Sequence, residues 1–198
     1  MNPITYLQTT DISLAALIGY VEEKQVESTR SQKLSDYESL VRSIVGQQIS
    51  TSAARSIFDR LLGIVDGVIT PESITSLTEE SLRTTGLSRQ KISYIQGMGN
   101  NLIEGTVDLG TLYSMSDAEA VNMLKGLRGI GEWTAQCYLL GCMSRIDAWP
   151  SSDLGLQVAI QRLKGLKTRP QKLTTEEIAE IWKPFRSIAA LILWSSYD

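Results

Sequence analysis

The chain contains no histidine, which excludes a Ser–His–Asp triad, a His-ligated zinc and a histidine general base. Chemistry falls instead to carboxylates, lysines, hydroxyls and backbone dipoles. Among the carboxylates, Asp153 in WPSSDLGLQ is set apart by its place. It falls in the first turn of a helix expected to begin near Ser152, where the helix dipole and amide groups favour the ionised form. Taken alone, such an aspartate reads as a simple N-terminal helix charge. The second feature is LKGLRGIGEWTAQCYLL, residues 124–140, with Gly126, Gly129 and Gly131 between two apolar, helix-like stretches. Glycines permit positive φ and let another chain approach the backbone. Successive amides leading into the positive end of the next helix form a concavity for an anion, with phosphate the natural guest. An ordinary helix–helix turn with glycines for packing accounts equally well for the same residues. G-x-x-G-x-G has the wrong order for a dinucleotide fingerprint and follows a helix, and there is no Walker A lysine and hydroxyl.

The elements that must position these residues are helices. Ser35-x-x-Glu38, Ser116-x-x-Glu119 and Thr174-x-x-Glu177 have capping-box form, and Thr70-Pro71-Glu72 sets a cap before a proline at the first helical position. Gly63, Gly86, Gly105, Gly126 and Gly165 are expected stops. Apolar residues recur at three and four, as in Leu40, Ile44, Val45 and Ile57, Leu61, Leu62, while strand-like alternation is nearly absent. The expectation is an all-α chain of about nine or ten helices with short connections. They include Asp11–Glu23, Asp36–Gly46, Ser52–Val65, Arg89–Glu104, Asp117–Lys125, Glu132–Met143, Ser152–Leu163, Glu176–Lys183 and Pro184–Ser195. With 198 residues, 42% of them apolar, the chain can fill one large domain or two small lobes sharing a core. The polar stretch Glu22–Lys33 reads as a link from a leading helix to the main body.

With these elements in place, the glycine turn resembles a known pattern. LKGLRGIGEWTAQ is similar to the helix-hairpin-helix signature of DNA glycosylases of the endonuclease III superfamily. WPSSDLGLQ, about twenty residues on, resembles that superfamily's proline-then-aspartate segment. VRSIVGQQISTSAA at 41–54, GLSRQKISYIQGMG at 86–99 and WKPFRSIAALILW at 182–194 resemble the 3-methyladenine DNA glycosylase II, or alkylpurine, branch in particular. The resemblance covers about residues 35–198 in the family's order. It implies a two-lobed helix-hairpin-helix fold with a cleft between the lobes. Residues 1–34 form a leading helix and linker packed on the body, and 35–198 the glycosylase domain. A central lobe at about 50–150 then stands beside a second lobe built from the N- and C-terminal helices.

The same resemblance assigns roles by position. Asp153 becomes the catalytic carboxylate that stabilises positive charge on the sugar as the glycosidic bond breaks, or that orients or deprotonates the attacking water. Amides around Gly129, Gly131 and Thr134 hold phosphates of the lesion strand, and carbonyls of Lys125, Leu127 and Ile130 bind a monovalent cation, Na+ or K+. Gln47, Gln48 and Ser50 face the minor groove, Gln48 being the wedge that fills the vacated stack, with an interhelical hydrogen bond as the plainer reading. Trp133 and Trp194 flank the extruded base, Trp149 and Tyr37 add to its walls, and an indole face suits an alkylated, cationic purine. Trp182 reads as core. Trp133 stands where lyase relatives carry a Schiff-base lysine, which implies a monofunctional hydrolase leaving an abasic site.

Lys+Arg number 19 against 22 Asp+Glu, a net charge of -3, so a nucleic-acid surface must be a local patch. The run 161–172, with Arg162, Lys164, Lys167, Arg169 and Lys172, and a second cluster of Arg83, Arg89 and Lys91 are the basic candidates. Cys137 and Cys142 read as buried thiols, and without a four-cysteine cluster no iron–sulfur site is expected. No catalytic cofactor is expected. With no signal-like N-terminus and no span-length apolar run, the expected setting is intracellular: cytoplasm or nucleoid in a prokaryote, nucleus in a eukaryote. The segment before residue 35 is too short for the extra N-terminal domain of longer bacterial relatives. The expected partner is double-stranded DNA with alkylated bases, bound by a monomer without membrane contact. Alternatives left open are a noncatalytic lesion-binding protein on this scaffold, or a glycosylase for hypoxanthine, ethenoadenine or uracil.

Overall fold

The computed structural model describes residues 1–22 and 35–196, and among them every regular element is helical. Of the expected link Glu22–Lys33, Glu22 ends a helix and residues 23–33 lie outside the described residues. Two units make up the chain. One is Leu34–Tyr138; the other joins the described parts of Met1–Lys33 and Leu139–Asp198.

Hydroxyl caps open the helices of the Leu34–Tyr138 unit. Ser35 accepts the Glu38 N–H at the start of α3 (Asp36–Gly46), Ser50 accepts Ala53 N–H before α4 (Thr51–Ile64), and Thr70 and Ser73 form a reciprocal box at α5 (Pro71–Thr75). Thr78 caps α6 (Glu79–Thr84), Ser88 caps α7 (Arg89–Ile103), and Ser116 with Glu119 boxes α8 (Asp117–Lys125). Each such cap contributes about 1 kcal/mol. A 3-10 turn at Leu109–Ser114 and the first two turns of α9 (Glu132–Gly141) complete the unit. Its core follows the apolar spacing. Leu40, Val41, Ile44 and Val45 of α3 are buried, as are Phe58 and Leu61 of α4 and Ile92, Ile95 and Met98 of α7. Helix α3 packs on both α4 and α7, and α5 and α6 also pack on α7.

The other unit begins earlier than the sequence expectation. A helix α1 (Pro3–Thr10) precedes α2 (Ile12–Glu22), with Asn2 as its cap and Pro3 at its first position. Asp11 ends α1, and its carboxylate accepts the Ser13 and Leu14 N–H groups at the head of α2. The remaining helices are α10 (Leu154–Lys164), α11 (Lys172–Ala179) and α12 (Arg186–Ser195), with a 3-10 turn at Glu180–Trp182. Gly165, at φ 61, closes α10 in the left-handed conformation. The capping box expected at Thr174 is absent, because α11 starts upstream at Lys172 after Pro170 and carries Thr174 in its first turn. Gly63 stands inside α4 rather than ending it. Leu7, Leu14, Ile18, Leu156, Ile160, Ala189, Ala190 and Leu193 are buried in this unit, as is Trp182, the largest fully buried side chain among the described residues. Among the described residues no helix is long and apolar enough to cross a membrane.

Candidate active site

Asp153 is the N-cap of α10 rather than a residue of its first turn. Its Oδ1 accepts the Leu156 N–H at 2.8 Å and the Trp194 indole N–H at 2.9 Å. The carboxylate is half-buried, so its position is set by a helix start and by a ring carried on α12. Gly155 makes that approach possible: a Cβ there would stand 3.2 Å from Asp153 Oδ1 and 3.6 Å from Trp194 Cδ1. Sequence reasoning gave Gly155 no role, because only the fold brings α12 against it. Ser151 and Gln157 steady the segment before α10. Ser151 Oγ donates to Glu176 at 2.7 Å and the Gln157 amide donates to the Ser151 carbonyl at 3.2 Å.

Trp149 was expected to form part of a base pocket, but it is 4% exposed and packs edge-on against Trp182 with ring centroids 5.6 Å apart. It is a core residue of this unit. Tyr37 is likewise a core residue of the other, 4% exposed, its hydroxyl donating to the Ile95 carbonyl at 2.8 Å. Burial pushes its phenol well above the ordinary range, and Glu72 adds to the shift. These two rings are spent on packing, whereas Trp133, in the first turn of α9, is exposed.

The glycine turn between α8 and α9 has one strained position. Gly129 sits at φ +93, and a Cβ on it would run into the Tyr94 ring. Gly131 has ordinary φ and nothing within 4 Å of its Cβ position, so the chain there is open to an approaching group. Gly126 is right-handed, and a Cβ on it would stand 3.1 Å from the Met123 carbonyl oxygen. Leu127 and Ile130 turn their side chains into the core and are joined by a 3.0 Å bond from the Ile130 N–H to the Leu127 carbonyl. Thr134 is buried, and Arg128 lies over the Tyr94 ring at 5.7 Å.

The 47–50 loop is fastened to this turn. Gln47 Nε2 donates to the Gly129 carbonyl at 2.9 Å and reaches Thr134 Oγ1 at 3.4 Å. Lys91 Nζ donates to the carbonyls of Val45 at 2.8 Å and Gln47 at 2.7 Å, satisfying the end of α3. Burial lowers the Lys91 amine below its ordinary range. Gln48 is exposed and left-handed at φ 59, while Ser50 caps α4. Gln47, Gln48, Ile49, Ser88, Gln90, Lys91, Tyr94 and Gly129 line a recess of about 370 Å3.

Several of the basic candidates are held in ion pairs or turned inward. Lys91 faces α3. Lys164 is paired with buried Asp11 at 2.7 Å, and Arg89 lies 3.1 Å from Glu79. Lys172 is 3.9 Å from Glu176. Arg83, Arg162, Lys167 and Arg169 are exposed. Cys137 and Cys142 are not joined in a disulfide and are half-buried rather than buried.

Residues 41–184 match the family model of the HhH-GPD superfamily of base excision DNA repair proteins. DNA-3-methyladenine glycosylase 1 of Schizosaccharomyces pombe is 31% identical over 83% of this chain and 74% of its own length. A DNA-3-methyladenine glycosylase of Bacillus subtilis is 30% identical over 80% of this chain, which spans 56% of that relative. The solved structure of the S. pombe 3-methyladenine DNA glycosylase Mag1 with abasic DNA superposes with a TM-score of 0.87 at 30% identity. It covers 98% of this chain and 95% of that one.

Proposed function

Because the chain belongs to the HhH-GPD superfamily of base excision DNA repair proteins, alongside the DNA-3-methyladenine glycosylases, we propose that it is a monofunctional glycosylase. It hydrolyses the N-glycosidic bond of alkylated purines such as 3-methyladenine and 7-methylguanine in double-stranded DNA. The observation that carries this reading is the carboxylate of Asp153, fixed by the Leu156 and Trp194 N–H groups at the head of α10. A carboxylate held in one orientation before the reaction stabilises charge without reorganising during it.

In the mechanism, amides of the 129–134 turn and helix start bind phosphates, with Gly131 leaving room for the backbone to approach. Gln48, exposed on a left-handed residue, enters the stack that the lesion leaves. The faces of Trp133 and Trp194 attract the cationic alkylated ring. As the C1′–N bond breaks, its electron pair goes to the base, which leaves uncharged. Asp153 offsets the positive charge developing on the sugar and orients a water, whose oxygen joins C1′ and whose proton is lost, giving an abasic site. An indole stands at 133 in place of an amine, so the sugar is not captured as a Schiff base. A monovalent cation belongs to the same proposal. The Leu127 carbonyl accepts one amide and keeps a second lone pair, and with the carbonyls of Lys125 and Ile130 it offers the hard oxygen donors that Na+ or K+ prefers. The protein acts as a monomer wherever the cell keeps its DNA.

The test is release of 3-methyladenine and 7-methylguanine from methylated DNA, run across a panel that includes hypoxanthine, ethenoadenine and uracil. Release that disappears in Asp153→Asn supports the reading; binding without release by the unaltered protein makes it a noncatalytic lesion-binding protein. Borohydride trapping of a covalent DNA adduct would contradict the monofunctional assignment.

A further inference from the structure

Gln47 was expected to touch DNA, yet its side-chain amide is already committed within the protein. It donates to the Gly129 carbonyl at 2.9 Å and approaches Thr134 Oγ1 at 3.4 Å. Its own carbonyl, with that of Val45, receives the half-buried Lys91 ammonium at 2.7 and 2.8 Å. These bonds run in series from α7 to the 47–50 loop and on to the glycine turn. The Tyr94 ring, three residues after Lys91 on α7, closes the arrangement by packing against the bare α-carbon of Gly129. Neighbouring Gln48 is held exposed on a left-handed residue.

We propose that Gln47 and Lys91 are positioning residues that lock the 47–50 loop to the 126–131 turn, so that Gln48 enters the duplex in fixed register with the phosphates gripped by the turn. This rests on the glycosylase reading above and deepens it: Gln47 acts through the turn it holds and through Gln48, not through its own contact with DNA. Without the lock, the turn still binds phosphates, but the wedge no longer arrives where the opened stack needs it. Misplacement of about 1 Å from a residue away from the reacting atoms is enough to cost about 100-fold in rate.

The test uses the full chain and four variants: Gln47→Met, which keeps length and neutrality but loses the donor; Lys91→Met; Lys91→Arg, which keeps donors; and the Gln47→Met/Lys91→Met pair. Circular dichroism and thermal unfolding first establish that each is folded. Three readouts follow: affinity for an undamaged duplex with its salt dependence, emission of 2-aminopurine placed beside an alkylated purine, and single-turnover base release. The expected result for either Met variant is undamaged-duplex affinity within about 3-fold and an unchanged salt slope. The 2-aminopurine signal falls, and base release slows by about 10- to 100-fold. The pair is no worse than its worse member, since serial links fail together, and Lys91→Arg recovers most of the rate. Affinity lost together with about one unit of salt slope would mean that the residue contacts phosphate itself. Unchanged flipping and release, or strictly additive losses, would equally overturn the proposal. Hydrogen exchange separates this failure from failure of the glycosylase reading. The lock requires that Lys91→Met quicken exchange at amides 129–131 as well as in the 45–50 segment, even if the unaltered protein releases no base. Quickening confined to 45–50 would refute it.

Discussion

The N–H of Trp194 and the amide of Leu156 converge on one oxygen of Asp153, which separates two functions of an aromatic side chain. Trp194→Phe keeps a ring able to pack against a base but removes the donor. Its expected outcome is near-normal affinity for methylated duplex with single-turnover release reduced about 10-fold, checked by rapid-quench kinetics; loss of one hydrogen bond to a charged group is of that size. Asp153→Asn keeps shape and folds, and is expected to lose about 100-fold or more of base release while binding DNA. The helix-start position of Asp153 was legible to within one residue, because a cap is set by its immediate neighbours. Gln47, Trp149 and Tyr37 were not, because what commits each of them is a partner distant in sequence: Gly129, Trp182 and Ile95 respectively. A side chain's type and neighbours along the chain do not reveal that its hydrogen bonds or its ring face are already engaged elsewhere in the fold.

At the scale of elements, the turn joining α8 to α9 makes opposite demands on its glycines. Gly129→Ala must hold a left-handed residue and displace the Tyr94 ring, so a loss of about 2 kcal/mol or more is expected in denaturant unfolding. Gly131→Ala meets no neighbour and is expected to unfold within about 0.5 kcal/mol of the parent. Its effect should appear instead as weaker DNA binding, because the methyl would occupy the open side that the proposed mechanism gives to a phosphate. The helices around this turn were readable from hydroxyl caps and apolar spacing, which act within one or two turns. Helix α1 was missed although Asn2-Pro3 is a sound start signal, because its eight residues contribute only Leu7 as a fully buried residue. The start of α11 was displaced because Thr174 and Glu177 imitate a cap that the helix does not use.

For the molecule as a whole, a buried polar cluster ties the chain's beginning to its last third. Asp11 accepts both Lys164 Nζ contacts, at 2.8 and 2.7 Å, and the Trp182 indole N–H at 2.9 Å. Burial alone raises the Asp11 carboxyl, but the bonds from Lys164, Trp182 and the Leu14 amide outweigh it, and the net shift is downward from 3.8. A depressed folded-state value means that this contribution to stability is complete above the ordinary value near 3.8 and lost as pH falls through the lowered one. Acid unfolding of the parent followed beside Asp11→Asn should show it: the variant is weaker by about 3 kcal/mol at neutral pH, because Lys164 loses its charged partner, and the gap narrows in acid. The net charge of -3 gave no hint of a polyanion partner. With Lys164 and Lys91 engaged internally, DNA affinity depends on fewer exposed cations than the basic runs suggested. Its salt slope, measured by titration, should therefore be shallower than eight phosphate contacts would give.

The contact between Tyr94 and Gly129 also constrains how this gene product can drift. An aromatic at 94 is admissible only while 129 carries no side chain, and a smaller residue at 94 removes the steric objection at 129 without removing the conformational one. The two sites are therefore linked asymmetrically: 94 is free to shrink first, whereas 129 cannot change ahead of it.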